Sequence, residues 1–199
     1  MAGCTRFFPA LVAALWSIDL FENALNLIKI SSEVFTAPGP IASIGCEEIE
    51  FLRREVARNA KGRVRINIHP EDADSLHEMF IAIRPDSYIR PHKHPNKSEA
   101  FHVVHGEVDI VVFEDDGSVR EIVRLAAGGG GKAFYYRMSK PYFHTLVIRS
   151  DMLIVHEITN GPFVRDGTVY AAFAPREEDD LSAIRAWQKG LSDRVGRIA

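Results

Sequence analysis

The sequence has few cysteines and no excess of charge of one sign. Its two cysteines, Cys4 and Cys46, are far apart and occur in no CxxC or zinc-ribbon spacing. This excludes a disulfide framework, and we expect a reducing, cytoplasmic compartment. The formal net charge of -3 excludes the global basic field that attracts nucleic acid or acidic membranes. We therefore expect the partner to be a small molecule or another protein, such as a second copy in a homodimer.

A long apolar run is also missing. The stretch FFPALVAALWSI, residues 7–18, is shorter than a transmembrane helix, which needs about 20 apolar residues. It is similar to the core of a secretion signal, but Pro9 lies inside it and acidic residues continue the helical periodicity after it. We favour an amphipathic or buried helix over residues 10–31, with a secretion signal as the alternative.

Helical periodicity gives way to strand periodicity in the middle of the chain. A second helix is expected at residues 44–60 and a closing helix at 179–191, capped by Asp179 or Asp180. Between them, RVRINIH (63–69) alternates polar and apolar residues, as a strand does. The other strand candidates are His77–Arg84, Ser87–His92, Ala100–Phe113, Val119–Leu125, Ala133–Met138, Tyr142–Arg149, Met152–Thr159 and Thr168–Phe173.

Many short strands separated by turn residues indicate an all-β sandwich or barrel rather than βαβ units. We expect an antiparallel barrel over residues 61–177, an N-terminal helical extension over 1–60 and a C-terminal helix and tail over 178–199. The tetraglycine at 128–131 is not followed by a helix and does not fit the full phosphate-loop pattern, so it reads as a hairpin tip and not as a phosphate loop.

The stretch HKHPNKSE, residues 92–99, is the strongest functional signal in the chain. His92 and His94 are two residues apart, so on a strand they point to the same face. Pro95 ends that strand, and Glu99 opens the next antiparallel strand beside it. Imidazole nitrogen and carboxylate oxygen suit divalent transition metals. His144 is a fourth candidate ligand from a distant strand, and a polar surface loop is the alternative interpretation.

The neighbours of these residues suggest a pocket. Tyr88 and Arg90 share the strand parity of His92 and His94, which adds a phenol and a cation to the same surface. Phe101, with the parity of Glu99, would supply an apolar wall. Ligands, one cation and apolar walls together indicate a small-molecule site.

Two motifs resemble the cupin superfamily. HKHPNKSEAFHVVHG matches its first motif: H-x-H, four residues, Glu, six residues and Gly106. In the second motif, SKPYFHTLVI, His144 is kept while Ser139, Pro141 and Ile148 replace the usual proline, glycine and asparagine. Asp86 stands at the first motif's leading glycine.

Residues 63–177 further resemble the WbuC-type cupin-fold metalloproteins, which occur among bacterial polysaccharide-biosynthesis genes. The matching stretches include RVRINIH, FEDDG, HEITNGPF and AFAPRE. The resemblance implies a cupin-type double-stranded antiparallel β-barrel, or jelly roll. It also implies a metal bound by the histidines and the glutamate, but it implies no reaction, and it leaves residues 1–42 unexplained.

Three histidines and one glutamate leave positions of an octahedral ion open, which favours Fe, Mn, Ni or Co, with Zn in a lower-coordinate form. Our leading hypothesis is a metal-dependent isomerase or epimerase of a small polar or anionic substrate. The gene setting of the WbuC-type proteins, which this chain resembles, implies that the substrate is carbohydrate-like. Arg90 would hold an anionic group, and Tyr88 or Tyr142 would donate a hydrogen bond or move a proton. An iron dioxygenase and a non-catalytic ligand-binding or sensing protein are the alternatives.

The other histidines are weaker candidates. His105 shares the parity of Glu99 but lies about 20 Å along the strand, at roughly 3.3 Å per residue, and His102 lies on the opposite face. His69 can face either the pocket or the solvent. His156 or Glu157 can also face the pocket, and the sequence does not decide which.

Overall fold

The computed structural model describes residues 25–164 and 167–198, in which it has twelve strands and two helices. The strands are β1 (Ile28–Lys29), β2 (Val34–Thr36), β3 (Arg63–Asn67), β4 (Leu76–Ile83), β5 (His92–Lys93), β6 (Glu99–His105), β7 (Glu107–Phe113), β8 (Val119–Ala126), β9 (Tyr135–Met138), β10 (Phe143–Ile148), β11 (Leu153–Asn160) and β12 (Val169–Tyr170). The helices are α1 (Cys46–Arg58) and α2 (Leu181–Arg197).

The strands form two sheets that share one core. The larger sheet has the order β1-β2-β3-β4-β11-β6-β9, and the smaller has the order β12-β5-β10-β7-β8. The named pairs are antiparallel except β2 with β3. Phe101 and Val155 from the larger sheet and Ile110 and Leu125 from the smaller belong to the same buried cluster. This architecture confirms the expected all-β fold with an antiparallel barrel formed by two sheets.

The alternation of strand β3 places its apolar side outside the barrel. Val64 and Ile66 are buried in a cluster with Phe51 of helix α1, so the helix covers the outer face of the larger sheet. The opposite face of β3 is polar, and its Arg65 lines a cavity inside the barrel. The outer helix therefore allows a strand of this sheet to turn charged residues inward.

The helix was expected at residues 10–31, but residues 25–31, at the C-terminal end of this range, are not helical. Residues 28–29 form β1, which pairs antiparallel with β2; β2 in turn pairs parallel with β3. Sheet extension at this edge replaces the local helical periodicity. Residues 10–24 lie outside the described part of the chain. The helix expected at 44–60 is confirmed as α1.

Two strand predictions need correction. Residues 87–91 are not a strand, and β5 begins only at His92; Pro91 lacks the backbone donor that a central strand needs. The single strand expected from Ala100 to Phe113 is two strands, β6 and β7, which are separated by Gly106 at φ +88°. The remaining strand candidates agree with the structure to within a few residues.

The C-terminal helix begins at a side-chain cap. Asp180 accepts hydrogen bonds from the backbone N–H groups of Ser182 and Ala183, which satisfies donors that the first helical turn leaves unpaired. Leu191 and Val195 pack in one cluster with residues of the smaller sheet. Helix α2 thus covers that sheet. Neither described helix is long and apolar enough to cross a membrane.

Replacement of Gly106 by alanine should destabilise the barrel. A Cβ atom at this position would overlap the carbonyl oxygen of Met152 and the hydroxyl of Ser150, and the positive φ disfavours any L side chain. We expect a loss of about 2 kcal/mol or more in the free energy of unfolding, measured by urea titration.

Gly190→Ala is the matched control. Gly190 lies inside α2, and its added methyl group would meet nothing within 4 Å. This change should raise stability by about 1 kcal/mol, because alanine favours the helix. Equal effects of the two substitutions would contradict the role assigned to Gly106.

Candidate metal centre

Both sheets contribute to a cluster of three histidines and a glutamate. His92 on β5 is the direct partner of His144 on β10 within the smaller sheet, and His94 follows β5. Glu99 is the first residue of β6 in the larger sheet. Strand pairing therefore brings His144 to the other three residues, from which it is distant in the chain.

The four side chains are close enough to hold one ion. One ligand atom from each of His92, His94, Glu99 and His144 lies within 4.8 Å of the others. Nε2 of His144 is 3.3 Å from Oε1 of Glu99, and Nε2 of His94 is 3.8 Å from Oε2. Glu99 and His144 are buried, whereas His92 and His94 are partly accessible. The cluster is thus closed on one side and open on the other.

Each histidine is oriented through its other ring nitrogen. Nδ1 of His92 lies 2.9 Å from the carbonyl oxygen of Arg90, and Nδ1 of His144 lies 3.1 Å from that of Tyr142. A carbonyl only accepts, so each Nδ1 carries a proton, which leaves each Nε2 as the atom available for ligation. Nδ1 of His94 lies 3.3 Å from the hydroxyl of Thr168.

Glu99 is oriented by a phenol. The hydroxyl of Tyr136, on the neighbouring strand β9, donates a hydrogen bond of 2.6 Å to Oε1 of Glu99. Both groups are buried, and a hydrogen bond to a carboxylate is stronger than one between neutral groups. Tyr136 therefore holds the carboxylate in place, a contact that the sequence patterns did not single out.

The environment favours the protonation states that ligation requires at His92, His94 and Glu99. Burial lowers the pKa of His92 to about 4, and burial also lowers the pKa of His94. Burial alone would raise the pKa of Glu99, but its attraction to His144 and His92 brings that pKa to about 2. Burial alone would lower the pKa of His144, but its attraction to Glu99 raises that pKa. His92 and His94 are therefore ready to bind a cation as neutral imidazoles beside an ionised carboxylate, whereas His144 would release a proton on ligation.

The residues present fit a divalent transition metal. Nε2 of His144 is buried, and among the described residues its contact with Oε1 of Glu99 at 3.3 Å does not have hydrogen-bond geometry, although buried polar atoms are normally satisfied. A metal ion would satisfy it. Three imidazoles and a carboxylate form a donor set that suits such ions.

A cavity of about 360 Å³ opens at the cluster. Arg90 lines it, and its NH2 group donates to the carbonyl oxygen of Ala171 at 2.8 Å. The guanidinium also lies 5.2 Å from the ring centroid of Tyr170. Arg65 lines the same cavity from the larger sheet.

The structure does not bring Tyr88 or Tyr142 into this cavity. The hydroxyl of Tyr88 donates to the carbonyl oxygen of Pro175 at 2.7 Å, and its ring contacts Trp187 of helix α2. Tyr142 lies under the guanidinium of Arg120. Because residues 87–91 are not a strand, side-chain parity does not carry Tyr88 to the face of the histidines.

Glu157 on β11 is the cavity residue that the sequence left undecided. It lines the cavity with Arg65 and Glu99, whereas His156, one residue earlier, stacks on Phe80 with 4.6 Å between ring centroids. Burial, reinforced by the nearby charge of Glu99, raises the pKa of Glu157 to about 8. Strand alternation would have separated the two residues, but it could not say which one faced inward.

The remaining histidines are not part of the cluster of candidate ligands. His102 is exposed, as expected, with its ring 5.7 Å from that of Phe134. His105 is near Arg53 and Glu50 of helix α1, where burial lowers its pKa. His69 is buried rather than exposed to solvent.

One protein-family model matches part of the chain. The model is described as a domain of unknown function (DUF6016) and matches residues 45–125, which is less than half of the chain. This range includes His92, His94 and Glu99 but ends before His144. No curated protein sequence matches the chain.

Several solved structures are similar to about half of the chain. KdgF from Halomonas sp. has 16% identity over 52% of this chain and 82% of its own, with a TM-score of 0.39. TT1209 from Thermus thermophilus has 16% identity over 51% and 86%, with a TM-score of 0.41. Oxalate decarboxylase from Bacillus subtilis, which has Mn(II) centres, has 19% identity over 49% and 24%, with a TM-score of 0.38. This chain thus spans about a quarter of that enzyme, and similarities at this level carry no conclusion on function.

Removal of single ligands should empty the site. We expect His92→Ala, His94→Ala and His144→Ala each to lower metal occupancy strongly, because each removes one of four donors. The measurement is metal analysis of protein purified without a histidine tag. His105→Ala is the control and should retain the metal. The barrel should remain folded in all four variants, since a core of this size does not depend on the ion. Full occupancy in His144→Ala would contradict the four-ligand site.

Proposed function

We propose that this protein is a metal-dependent enzyme that acts on a small anionic, carbohydrate-like substrate by isomerisation or epimerisation. His92, His94, Glu99 and His144 would hold a divalent transition metal. The observation that carries the proposal is the pair of arginines in the same cavity. Nε of Arg65 and Nε of Arg90 are both buried and have no hydrogen-bonding partner among the described residues.

The two arginines support an anionic substrate. A buried N–H group without a partner is costly, and each arginine has one at Nε, although Arg90 donates to Ala171 through another nitrogen. Planar guanidinium groups pair well with carboxylates and phosphates. Arg65 approaches from β3 of the larger sheet and Arg90 from the segment before β5 in the smaller. An anion between the two sheets would satisfy donors that the protein itself leaves open. A cavity for an apolar ligand would gain nothing from the guanidinium groups of Arg65 and Arg90.

Glu157 supports proton transfer. Isomerisation and epimerisation require a group that removes a proton from carbon and a group that returns one. The carboxyl group of Glu157 lines the cavity beside the cluster, and its raised pKa, about 8, lies near neutral pH. Such a carboxyl group can release and recover a proton at working pH. The bound ion would polarise a carbonyl or hydroxyl oxygen of the substrate.

The reaction type can be tested by solvent isotope exchange. Protein loaded separately with Fe, Mn, Ni, Co or Zn would be incubated with sugar acids in D2O and followed by NMR. We expect deuterium to appear at a carbon next to the carbonyl, without oxygen consumption. Oxygen uptake would favour the dioxygenase, and binding without exchange or turnover would favour a non-catalytic ligand-binding protein.

Glu157→Gln should lower the exchange rate by about 100-fold or more, the usual contribution of a general base, with metal content unchanged. Glu78→Gln is the control, because Glu78 carries its carboxylate on β4 beside His156 and outside the cavity. Undiminished exchange in Glu157→Gln would remove this residue from the mechanism.

Arg90→Met should weaken binding of anionic ligands by about 2 kcal/mol or more, measured by calorimetry on the metal-loaded protein. Arg90→Lys should restore binding only in part, since lysine lacks the bidentate geometry. Arg185→Met, on the exposed surface of α2, is the control. Unchanged anion binding in Arg90→Met would leave the cavity without its proposed anion contact.

A further inference from the structure

A second cavity, of about 280 Å³, adjoins the first. The two cavities share lining residues, including Arg65, His92, His94 and Glu157. The open side of the histidine and glutamate cluster therefore borders both cavities. A ligand held at the cluster has room to extend from one cavity into the other.

The second cavity contains an unsatisfied acceptor. Asn67 follows Arg65 by two residues on β3, so both point into the barrel. Its side chain is only 8% exposed, and its Oδ1 atom is buried with no hydrogen-bonding partner among the described residues. Buried amide oxygens are normally paired. A hydroxyl or N–H donor from a ligand would satisfy this atom.

Two stacked imidazoles form another wall of this cavity. The rings of His69 and His77 are parallel to within 3°, with centroids 4.1 Å apart. The backbone N–H of Glu78 donates to Nδ1 of His69 at 3.2 Å, and Nε2 of His77 lies 3.2 Å from the carbonyl oxygen of Asp72. The rings are therefore fixed in position, and they form a flat polar wall that no role assigned so far uses.

The two cavities differ in the chemistry they offer. The first contains Arg90 and the side chains that would hold the metal, and it suits an anionic group. The second combines an amide acceptor with two imidazoles, and its charged lining residues are of both signs: Lys97 and the shared Arg65 are cations, and Asp72 is an anion. It suits uncharged polar groups such as hydroxyls.

We propose that the second cavity binds the hydroxyl-bearing end of an elongated polyhydroxy acid whose carboxylate lies in the first cavity. This inference rests on the proposed function, because it takes the anionic end of the substrate to be held near Arg90. It adds that the substrate is long enough to reach Asn67 and that it carries a donor there. A short acid would leave Oδ1 of Asn67 unsatisfied.

Gluconate and glycolate are suitable probes, because they share an α-hydroxycarboxylate head and differ in the polyhydroxy tail. Their dissociation constants would be measured by calorimetry on the full-length, metal-loaded protein. We expect gluconate to bind at least tenfold more tightly than glycolate. Asn67→Leu should abolish this preference, while metal content and glycolate affinity stay within twofold of the unaltered protein. Asn96→Leu, in the exposed turn after β5, should keep the preference.

If Asn67→Leu does not fold, as judged by circular dichroism, His77→Phe takes its place, since phenylalanine preserves the stacked shape without the ring nitrogens. Equal affinities for the two acids in the unaltered protein would overturn the second subsite and leave anion binding intact. A preference retained in the folded variant would overturn it as well. Failure of both acids to bind would overturn the proposed function and this inference with it.

Discussion

The site depends on a carboxylate that is buried between two sheets. Glu99 is 4% exposed, and an isolated charge in such a place would be strongly unfavourable. The hydroxyl of Tyr136 and the imidazole of His144 offset this cost from one side, and His92 and His94 close the other. Because these partners come from both sheets, the position of one side chain couples the register of β6 and β9 to that of β5 and β10. The same strand pairings therefore set both the register of the barrel and the geometry of the candidate metal centre.

The cavity beside this cluster depends on what lies outside the barrel. Helix α1 buries the apolar side of β3, which leaves the polar side, with Arg65 and Asn67, inside. The interior of an antiparallel barrel is usually its apolar face. Here part of the hydrophobic core lies outside the barrel, between β3 and α1. This arrangement provides room for donors and acceptors near the histidines. It also explains why polar atoms of both residues are buried without partners among the residues that the structure describes.

The candidate ligands and the fold class were accessible from the sequence because their signals are local. The two-residue spacing of His92 and His94 and the turn before Glu99 imply proximity on adjacent strands, and His144 was found through a short motif. Tyr88 was misplaced because parity holds only along a continuous strand, and Pro91 interrupts this one. Glu157 and Asn67 were not assigned a role because alternation separates two faces without saying which is inside.

Local patterns were sufficient to predict the alternating strands, the helices α1 and α2 and the spacing of the candidate metal ligands. Each of these follows from interactions within a few residues: side-chain parity, capping by Asp180 and apolar periodicity. Long-range packing was needed to turn the charged side of β3 inward, to bring Tyr136 to Glu99 and to place Glu157 and Asn67 beside the cavities. Those outcomes arise from contacts between distant segments. The alternation within β3 or β11 separates two faces but does not determine which of them is inside. The packing of α1 on β3 and the pairing of β11 with β6 determine it.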